Sequence, residues 1–338
     1  MRHLTIDELE CERSQLEAAV DATPGVDPWC SGPDWQLPVA LAFAPTAGRL
    51  LLSDESATGF LLLTHHRSAG GPVLGGLEPL WGFGSPVLGP DPGGLVAAAV
   101  DELAAVDWRA MVLPGQPPLT SPTGTGGDPG GDPDSERTTL PTALALSELG
   151  QVGLGEGITR QVIDLGGGYD AWLGRRSPRF RRNLRRAQAA AAEAGLHIVD
   201  VATDAADDLF ERLLAIERRS WKGREGSGIT GLEMAAMYRA MIARLRSRGR
   251  LLAFVAMLDG RDVGYILGGV RVRRYRGLQL SFTADAGRLS VGNLLQAHQL
   301  RRLVEDDRAD VYDLGMDFGY KRRWADRAET SVTLVVRR

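Results

Sequence analysis

Residues 278–324 read LQLSFTADAGRLSVGNLLQAHQLRRLVEDDRADVYDLGMDFGYKRRW. The pattern predicts a strand, a polar turn with two glycines, an amphipathic helix and a short strand, at Leu278 to Thr283, Asp285 to Gly292, Asn293 to about Asp306 and Val311 to Leu314. The first N–H groups of a helix are free, and the positive end of its dipole favours an anion. Because Gly292 would let the backbone come close, this turn is predicted to bind a phosphate.

The charge of the chain is divided between two halves. Residues 1–157 carry 21 acidic and 6 basic residues, net −15, whereas residues 158–338 carry 22 acidic and 33 basic residues, net +11, which together give −4. Two domains with these bounds are expected for 338 residues, with a mobile low-complexity loop at 116–138. A basic second half suits an anionic ligand such as a nucleotide or RNA, although the two halves could simply attract each other.

Several classes of protein do not fit this sequence. No apolar run approaches the ~20 residues that a bilayer requires, and the acidic N-terminus does not resemble a signal peptide, so a cytoplasmic location is expected. Cys11 and Cys30 are too few for a disulfide framework or a thiolate site. The five histidines show no ligand spacing. The sequence therefore predicts no metal site.

Lysine is rare in a chain that is rich in arginine. Of the 39 basic residues only Lys222 and Lys321 are lysine, and both follow an aromatic residue. Lysine offers a compact charge with a tunable pKa, which arginine does not. We therefore interpret both lysines as candidate functional residues, with chance placement as the alternative.

The remaining elements follow one order. A long arginine-rich helix is predicted over Pro178 to Ala194, and the Asp259-Gly260 dipeptide predicts a hairpin between Leu251 to Leu258 and Val263 to Val272. In the first half, a strand is predicted at Leu140 to Leu146 and a helix at Gly93 to Val106. The arginine-rich helix would suit contact with phosphate groups, including those of RNA. Alternatively, its arginines form a solvated face that packs against the acidic half.

Four segments of the stretch 278–324, namely 278–285, 290–295, 313–315 and 320–324, resemble the C-terminal half of GNAT-superfamily acyltransferases. Arg175 to Glu193 with Gly195, and Ser220-Trp221-Lys222-Gly223, are similar to a narrower branch, the cellulose-biosynthesis-type acetyltransferases, which is related to Fem-type aminoacyl transferases. The resemblance covers roughly Ile158 to Val336. It implies an α+β fold, an α/β sandwich of two GNAT-like halves, the first degenerate, each a mixed and mostly antiparallel sheet flanked by helices.

The resemblance also implies a donor site. In GNAT enzymes the thioester arm pairs with a splayed strand, here Gln279 to Asp285, and the pyrophosphate rests on the following turn, here Arg288 to Asn293. The cofactor-binding residues would be Ser281, Phe282, Thr283, Arg288, Ser290, Val291, Gly292 and Asn293. The turn departs from the usual Arg/Gln-x-x-Gly-x-Gly/Ala motif. In the related Fem-type enzymes the donor is an aminoacyl-tRNA.

The chemistry requires a group that accepts the proton of the amine and groups that stabilise the oxyanion and the leaving thiolate. Asp317, in an aromatic-rich run that could raise its pKa, is the first candidate base, and Glu217 is another. Tyr320 could donate to the leaving group, and Lys321 could neutralise an oxyanion or a carboxylate. Substrate contacts are predicted from Trp221, Lys222, Asp285, Asp313 and Trp324. For each residue a structural role, such as capping, core packing or an ion pair, is the alternative.

Three functions are compatible with these residues. The first is transfer of an acyl group from acetyl-CoA or another acyl-CoA, without a metal, to an amine of a small molecule or peptide. The second is an aminoacyl-tRNA-dependent, Fem-like amide-forming transferase. The third is a scaffold that keeps the fold without turnover. The sequence does not predict the acceptor or the oligomeric state.

Overall fold

The structure, a computed structural model, describes residues 1–44, 48–118 and 136–338. Most of the segment predicted to be a mobile loop, residues 119–135, therefore lies outside the described residues. The chain forms two compact units, residues 1–159 with 330–338 and residues 160–329. The sequence suggests a division at 157/158, whereas here the second unit begins at Arg160 and the last nine residues belong to the first unit.

Both units contain helices as well as strands. Residues 1–164 form β1 (Arg2–His3), α1 (Ile6–Cys11), α2 (Arg13–Ala22), α3 (Pro33–Phe43), β2 (Arg49–Ser53), β3 (Phe60–Ser68), β4 (Gly71–Gly76), β5 (Val87–Leu88), α4 (Pro92–Ala98), α5 (Val100–Ala105), β6 (Ala110–Gln116), α6 (Glu136–Leu146) and β7 (Gln151–Asp164). Residues 165–338 form α7 (Gly168–Gly174), α8 (Pro178–Glu193), β8 (His197–Asp200), α9 (Ala206–Arg219), α10 (Trp221–Arg224), α11 (Leu232–Ser247), β9 (Leu251–Leu258), β10 (Arg261–Arg271), β11 (Arg274–Phe282), α12 (Val291–Glu305), β12 (Val311–Met316) and β13 (Arg327–Arg337). Short 3-10 helices lie at Gly228–Thr230 and Asp285–Leu289.

The sheet of the first unit has the strand order β1-β2-β3-β4-β6-β13, with β5 beside β3. Every neighbouring pair on this path is antiparallel except β4 and β6, which are parallel. The end of β13 lies beside β6, with Leu334 opposite Leu113, and this pairing places the C-terminus in the first unit. Leu52, Leu61, Trp108 and Met111 are buried in its core.

The sheet of the second unit has the order β8-β9-β10-β11-β12-β7, and only β11 and β12 are parallel. On one face Ile266 packs with Val291 and Leu295 of α12. The neighbouring residue Tyr265 points to the opposite face, which α9 covers. Both units therefore have a mixed, mostly antiparallel sheet flanked by helices, as the sequence predicts.

The elements predicted within 278–324 and the hairpin are confirmed in outline. Asp259 and Gly260 both have positive φ, 50° and 72°, which two-residue hairpin turns require. The helix after β11 begins at Val291, two residues earlier than predicted, so that Gly292 is helical.

One prediction in the first half is wrong, and another is confirmed only in outline. The strand predicted at Leu140 to Leu146 is part of helix α6, whose alanines and leucines are the strongest helix formers. Such a short alternating apolar run does not distinguish helix from strand by itself. The helix predicted over Gly93 to Val106 is interrupted at Ala99 and forms α4 and α5.

Candidate functional site

The parallel strands β11 and β12 pair over only three positions and then part. Arg274 lies opposite Val311, Tyr275 opposite Tyr312, and Arg276 opposite Asp313. Beyond Arg276, β11 continues to Phe282 and β12 to Met316 without pairing with each other. The edge of β11 that β12 leaves is open to side chains or to a ligand, because a strand without a neighbour has unpaired backbone groups. We refer to the end nearest Arg276 and Asp313 as the closed end.

The open strand leads into a helix start that suits an anion. The 3-10 helix Asp285–Leu289 ends at Ser290, which has a left-handed backbone with φ 58° and ψ 36°. Helix α12 follows at once, and the side chain of Ser290 does not cap it. The N–H groups of Asn293 and Leu294 donate to the carbonyl of Ser290, so those of Val291 and Gly292 are available to an anion among the described residues.

A cleft of about 580 Å³ lies between α8 and this helix start. It is lined by four exposed arginines, Arg179, Arg186, Arg288 and Arg323. Among the residues that the structure describes, none of these four forms an ion pair. Unpaired guanidinium groups beside a helix N-terminus form a site that phosphate groups would occupy. We call this the arginine cleft.

Three of the predicted cofactor-binding residues, Arg288, Ser290 and Asn293, line the arginine cleft. Gly292 serves packing: a Cβ atom there would lie 2.9 Å from the Phe282 ring. Val291 is fully buried in the core.

Two further residues that were predicted to bind the acyl donor lie on or just after β11. Ser281 is buried, and its Oγ has no hydrogen-bond partner among the described residues. Thr283 donates a hydrogen bond from Oγ1 to the carbonyl of Val263 at 3.3 Å. Both side chains are buried, and neither lines the arginine cleft.

The two lysines lie near the closed end: Lys222, in α10, contacts β11, and Lys321, which follows β12 in the chain, contacts the end of β12. Lys222 Nζ donates to Gln279 Oε1 at 2.7 Å and to the carbonyl of Leu280 at 2.9 Å, both on β11. Lys321 Nζ donates to the carbonyl of Met316, the last residue of β12, at 3.0 Å. Burial, together with the charges of Arg276 and Lys222, lowers the pKa of Lys321 to about 8. Burial also lowers the pKa of Lys222.

Glu217 holds the loop that carries Lys222. Its carboxylate is completely buried and accepts hydrogen bonds from Ser220 Oγ and from the backbone N–H of Ile229, both at 3.4 Å. Gly228, with φ 72°, lets this loop approach, because a Cβ atom there would lie 2.0 Å from Glu217 Oε1. The charge of Glu217 also opposes the fall in the pKa of Lys222.

Asp313 is the centre of a buried ion-pair network. Arg160, Arg276 and Arg274 approach its Oδ2 atom at 2.6, 2.8 and 3.2 Å, and the N–H of Gly315 donates to Oδ1 at 2.7 Å. Burial opposes ionisation, but these cations hold the pKa of Asp313 far below its usual value. The carboxylate is thus a fixed counter-charge at the closed end.

Asp317 does not have the raised pKa that the sequence suggested. Arg322 donates to both of its carboxylate oxygens at 2.6 to 3.1 Å and lowers its pKa. The nearby side chain of Thr283 lowers the pKa of Asp285, which is exposed. Neither carboxylate is adapted to accept a proton near neutral pH.

The aromatic residues near the site divide into core and surface. Trp324 is buried and stacks on Trp172 with ring centroids 5.5 Å apart, although it also borders the arginine cleft. Trp221, Phe318 and Tyr320 are exposed, and the last two rings lie parallel, 6.5 Å apart.

Some residues that line the arginine cleft were not predicted from the sequence. Arg179, Arg186 and Arg323 were not predicted as donor-binding residues. A signal was present on α8, because Arg179 and Arg186 are seven positions apart and such positions share one helix face. Arg276 and Gln279, which contact the groups at the closed end, gave no local signal.

Within the described ranges, none of the helices combines the length and the apolar sequence that a membrane span requires. No three His, Cys, Asp or Glu side chains of the described part are grouped as metal ligands would be. The prediction that the protein needs no metal stays a prediction.

Comparison with known proteins agrees with this geometry. Residues 178–322 match the family model of an acetyltransferase (GNAT) domain. No curated protein matches the chain. The fold resembles that of FemX, at 12% identity and a TM-score of 0.60 over 98% of this chain and 97% of that one.

Two other solved structures share the fold. A tandem GNAT protein from the clavulanic acid biosynthesis pathway has 16% identity and a TM-score of 0.51, over 99% of this chain and 97% of that one. The C-terminal domain of an Agrobacterium fabrum protein, named as a putative lysylphosphatidylglycerol synthetase, has 14% identity and a TM-score of 0.56, over 95% and 91%. At these identities the structures show the fold alone. Residues 178–322 are thus similar in sequence to a GNAT acetyltransferase domain, and the chain shares the fold of these structures.

Proposed function

We propose that the protein is an N-acyltransferase that moves an acyl group from acyl-CoA, in the simplest case acetyl-CoA, to the amine of a small molecule or peptide. The observation that carries this proposal is the parting of β11 and β12, with the arginine cleft at one end and two lysines at the other. A cytoplasmic location is part of this proposal. The narrower resemblance to the cellulose-biosynthesis branch stays a prediction.

The donor would lie along the open edge of β11. Its phosphate groups would occupy the arginine cleft, against Arg288 and the start of α12. From Phe282 back to Gln279 the extended chain of β11 spans about 10 Å, so an arm that follows β11 would bring a thioester towards the closed end, beside Lys222. Lys321 would approach the reacting carbonyl from the side of β12.

The reaction is a direct transfer. The amine nitrogen attacks the thioester carbonyl, the C–S bond breaks after the C–N bond forms, and the amine loses one proton while the thiolate gains one. The protonated Lys321 side chain would stabilise the oxyanion and can supply the proton to the thiolate, since its pKa is about 8. Of the two predicted proton acceptors we retain Glu217, because Arg322 holds the carboxylate of Asp317.

Isothermal titration calorimetry with acetyl-CoA and with free coenzyme A tests the donor. Arg186→Ala and Arg288→Ala should each weaken binding about tenfold, the loss of one charge-assisted contact of about 1.4 kcal/mol. Arg185→Ala is the matched control, because Arg185 is the exposed neighbour of Arg186 on α8 and does not line the cleft. Absence of binding to both ligands would refute the proposal. Substitution of Gly292 would not test it, because the change would disturb packing against Phe282.

A second candidate is transfer from an aminoacyl-tRNA. It is supported by the exposed side chains of Arg182 and Arg185, which extend the positive face of α8 beyond the cleft. Nucleic acid would contact both the cleft and this extension, so Arg185→Ala should weaken RNA binding about as much as Arg186→Ala and reduce its salt dependence. Binding of acetyl-CoA without acyl transfer to any amine, and so without release of free coenzyme A, would instead support a non-catalytic scaffold.

A further inference from the structure

The two lysines of the chain leave hydrogen-bonding capacity unused at the closed end. An ammonium group has three donors. Lys222 uses two of them, on Gln279 and Leu280, and Lys321 uses one, on Met316. One donor of Lys222 and two of Lys321 therefore remain for a ligand. Neither lysine forms an ion pair within the described part of the chain.

The protein itself does not balance the charge at this end. Lys222, Lys321, Arg160, Arg274 and Arg276 lie near Glu217, Asp313 and Glu329, and Asp317, which lies near Lys321, is paired with Arg322. The arginines are committed to Asp313 and Glu329. Glu217 receives hydrogen bonds from Ser220 and Ile229. Among the described residues, the two ammonium groups are thus cations of this cluster that no carboxylate pairs.

A single oxyanion does not explain why two lysines are placed here, one in contact with β11 and the other in contact with β12. The developing oxyanion is one atom, and Lys321 is the cation beside the end of β12. Lys222 is held on β11 by two neutral acceptors, with its ammonium charge uncompensated by an ion pair in the described residues. A carboxylate has two oxygens and up to four acceptor positions, which match the remaining donors of both lysines.

Exposed aromatic side chains flank the two lysines in the sequence. Trp221 precedes Lys222 and is 49% exposed, whereas Phe318 and Tyr320 are 53% and 59% exposed. The Lys321 ammonium lies 5.0 Å from the centre of the Phe318 ring. Apolar rings that remain exposed beside a charged site suit a substrate with an apolar body next to its charge.

Given the acyl transfer proposed above, on which this inference rests, we infer that one of the two reacting molecules carries a carboxylate that Lys222 and Lys321 bind together at the closed end. Two sources of this carboxylate share the same chemistry. It belongs either to the acceptor, as in an amino acid with an apolar side chain, or to the acyl group, as in the thioester of a dicarboxylic acid.

The experiment measures release of free coenzyme A by the full chain with matched substrates. One arm compares L-phenylalanine with phenethylamine, its decarboxylated form, with acetyl-CoA as donor. The other compares succinyl-CoA with acetyl-CoA, with phenethylamine as acceptor. We expect kcat/KM to favour the carboxylated member of one pair about 10- to 30-fold, the value of one desolvated charge-assisted pair. The arm that shows the preference identifies the source.

Lys222→Met should abolish that preference, so that kcat/KM is about equal for both members of the pair. Lys222→Arg should restore part of the preference. A merely structural role of Lys222 would lower kcat/KM for both members of a pair equally and would overturn the inference. Turnover without preference in either arm would also overturn it and leave the acyltransferase proposal intact. Failure to bind acetyl-CoA or coenzyme A would refute that proposal instead, so the two failures are distinguishable.

Discussion

Replacement of Lys321 by methionine should make the protein more stable at neutral pH. Burial of the ammonium lowers its pKa from 10.5 to about 8, a difference that corresponds to a cost of about 3 kcal/mol when the lysine is charged. Methionine occupies a similar volume without a charge. It loses the hydrogen bond to Met316, which contributes about 1 kcal/mol. The expected net gain is therefore about 2 kcal/mol at pH 7.

The gain should depend on pH in a defined direction. Because the pKa of Lys321 is lower in the folded chain, the unfolded chain binds more protons between about pH 8 and 10.5, and the wild type becomes more stable as pH rises through that window. The methionine variant lacks this contribution. Its advantage should fall by about 3 kcal/mol between pH 7 and 10.5 and reverse to a deficit of about 1 kcal/mol.

Urea unfolding, followed by tryptophan fluorescence at pH 7, 8.5 and 10, measures both effects as differences between the two chains. Arg322→Met is the matched control, because Arg322 is exposed, lies next in the sequence and titrates far above this window. A variant that is less stable than the wild type at pH 7, or a difference that does not change with pH, would show that the buried ammonium of Lys321 does not destabilise the fold. A stabilised variant with lost turnover would show that the lysine is kept for function at the expense of stability.

Three further substitutions have definite expectations. Asp313→Asn should lower the free energy of unfolding by about 3 to 5 kcal/mol, because it leaves buried guanidinium groups without their counter-charge. Because folding lowers the pKa of Asp313, its carboxylate should stabilise the wild-type fold at pH values above the pKa that it has in the unfolded chain. This stabilisation should be lost as pH falls below that value, which urea titrations at pH 3 to 7 would detect. Gly292→Ala should cost about 1 to 3 kcal/mol by thermal unfolding, since its Cβ atom would press on the Phe282 ring. Gly228→Ala should cost about 1 to 2 kcal/mol from its left-handed backbone alone, and turnover should fall further as the loop moves away from Glu217.

The second unit was predictable from sequence where local patterns agree with the fold. The bounds of β9 match the predicted strand, and the Asp259-Gly260 turn has the backbone that its residues favour. The strand, turn and helix from β11 to α12 were predictable because the apolar period changes from two to about 3.6 across the turn. These features depend on neighbouring residues only.

Other features depend on partners that are distant in sequence. The pKa of Asp317 is set by Arg322, whose side chain could equally have pointed to solvent. The arginine cleft combines residues of α8 with residues more than 100 positions later, and no local pattern gives that distance. The same holds for Asp313, whose partner Arg160 lies 153 positions away.

The two units differ at the position where a donor would lie. In the first unit β4 and β6 also pair over three positions, from Val73 opposite Ala110 to Gly75 opposite Val112. The chain itself occupies the space beyond. Gln116 Nε2 donates to Ser85 Oγ at 2.9 Å, and a Cβ atom on Gly115 would lie 2.5 Å from the carbonyl carbon of Gly84.

Pro86 lies in the same place, because a Cβ atom on Gly76 of β4 would be 3.7 Å from Pro86 and 3.5 Å from Pro114 of β6. Segment 84–86 thus fills the opening that stays accessible between β11 and β12. Removing it would expose the buried side chain of Ser85 and break the hydrogen bond between the N–H of Leu62 and the carbonyl of Pro86, so a ligand would have to replace these contacts. Only the second unit should therefore bind acyl-CoA, with one molecule per chain in a calorimetric titration, and a measured stoichiometry of two would contradict this assignment.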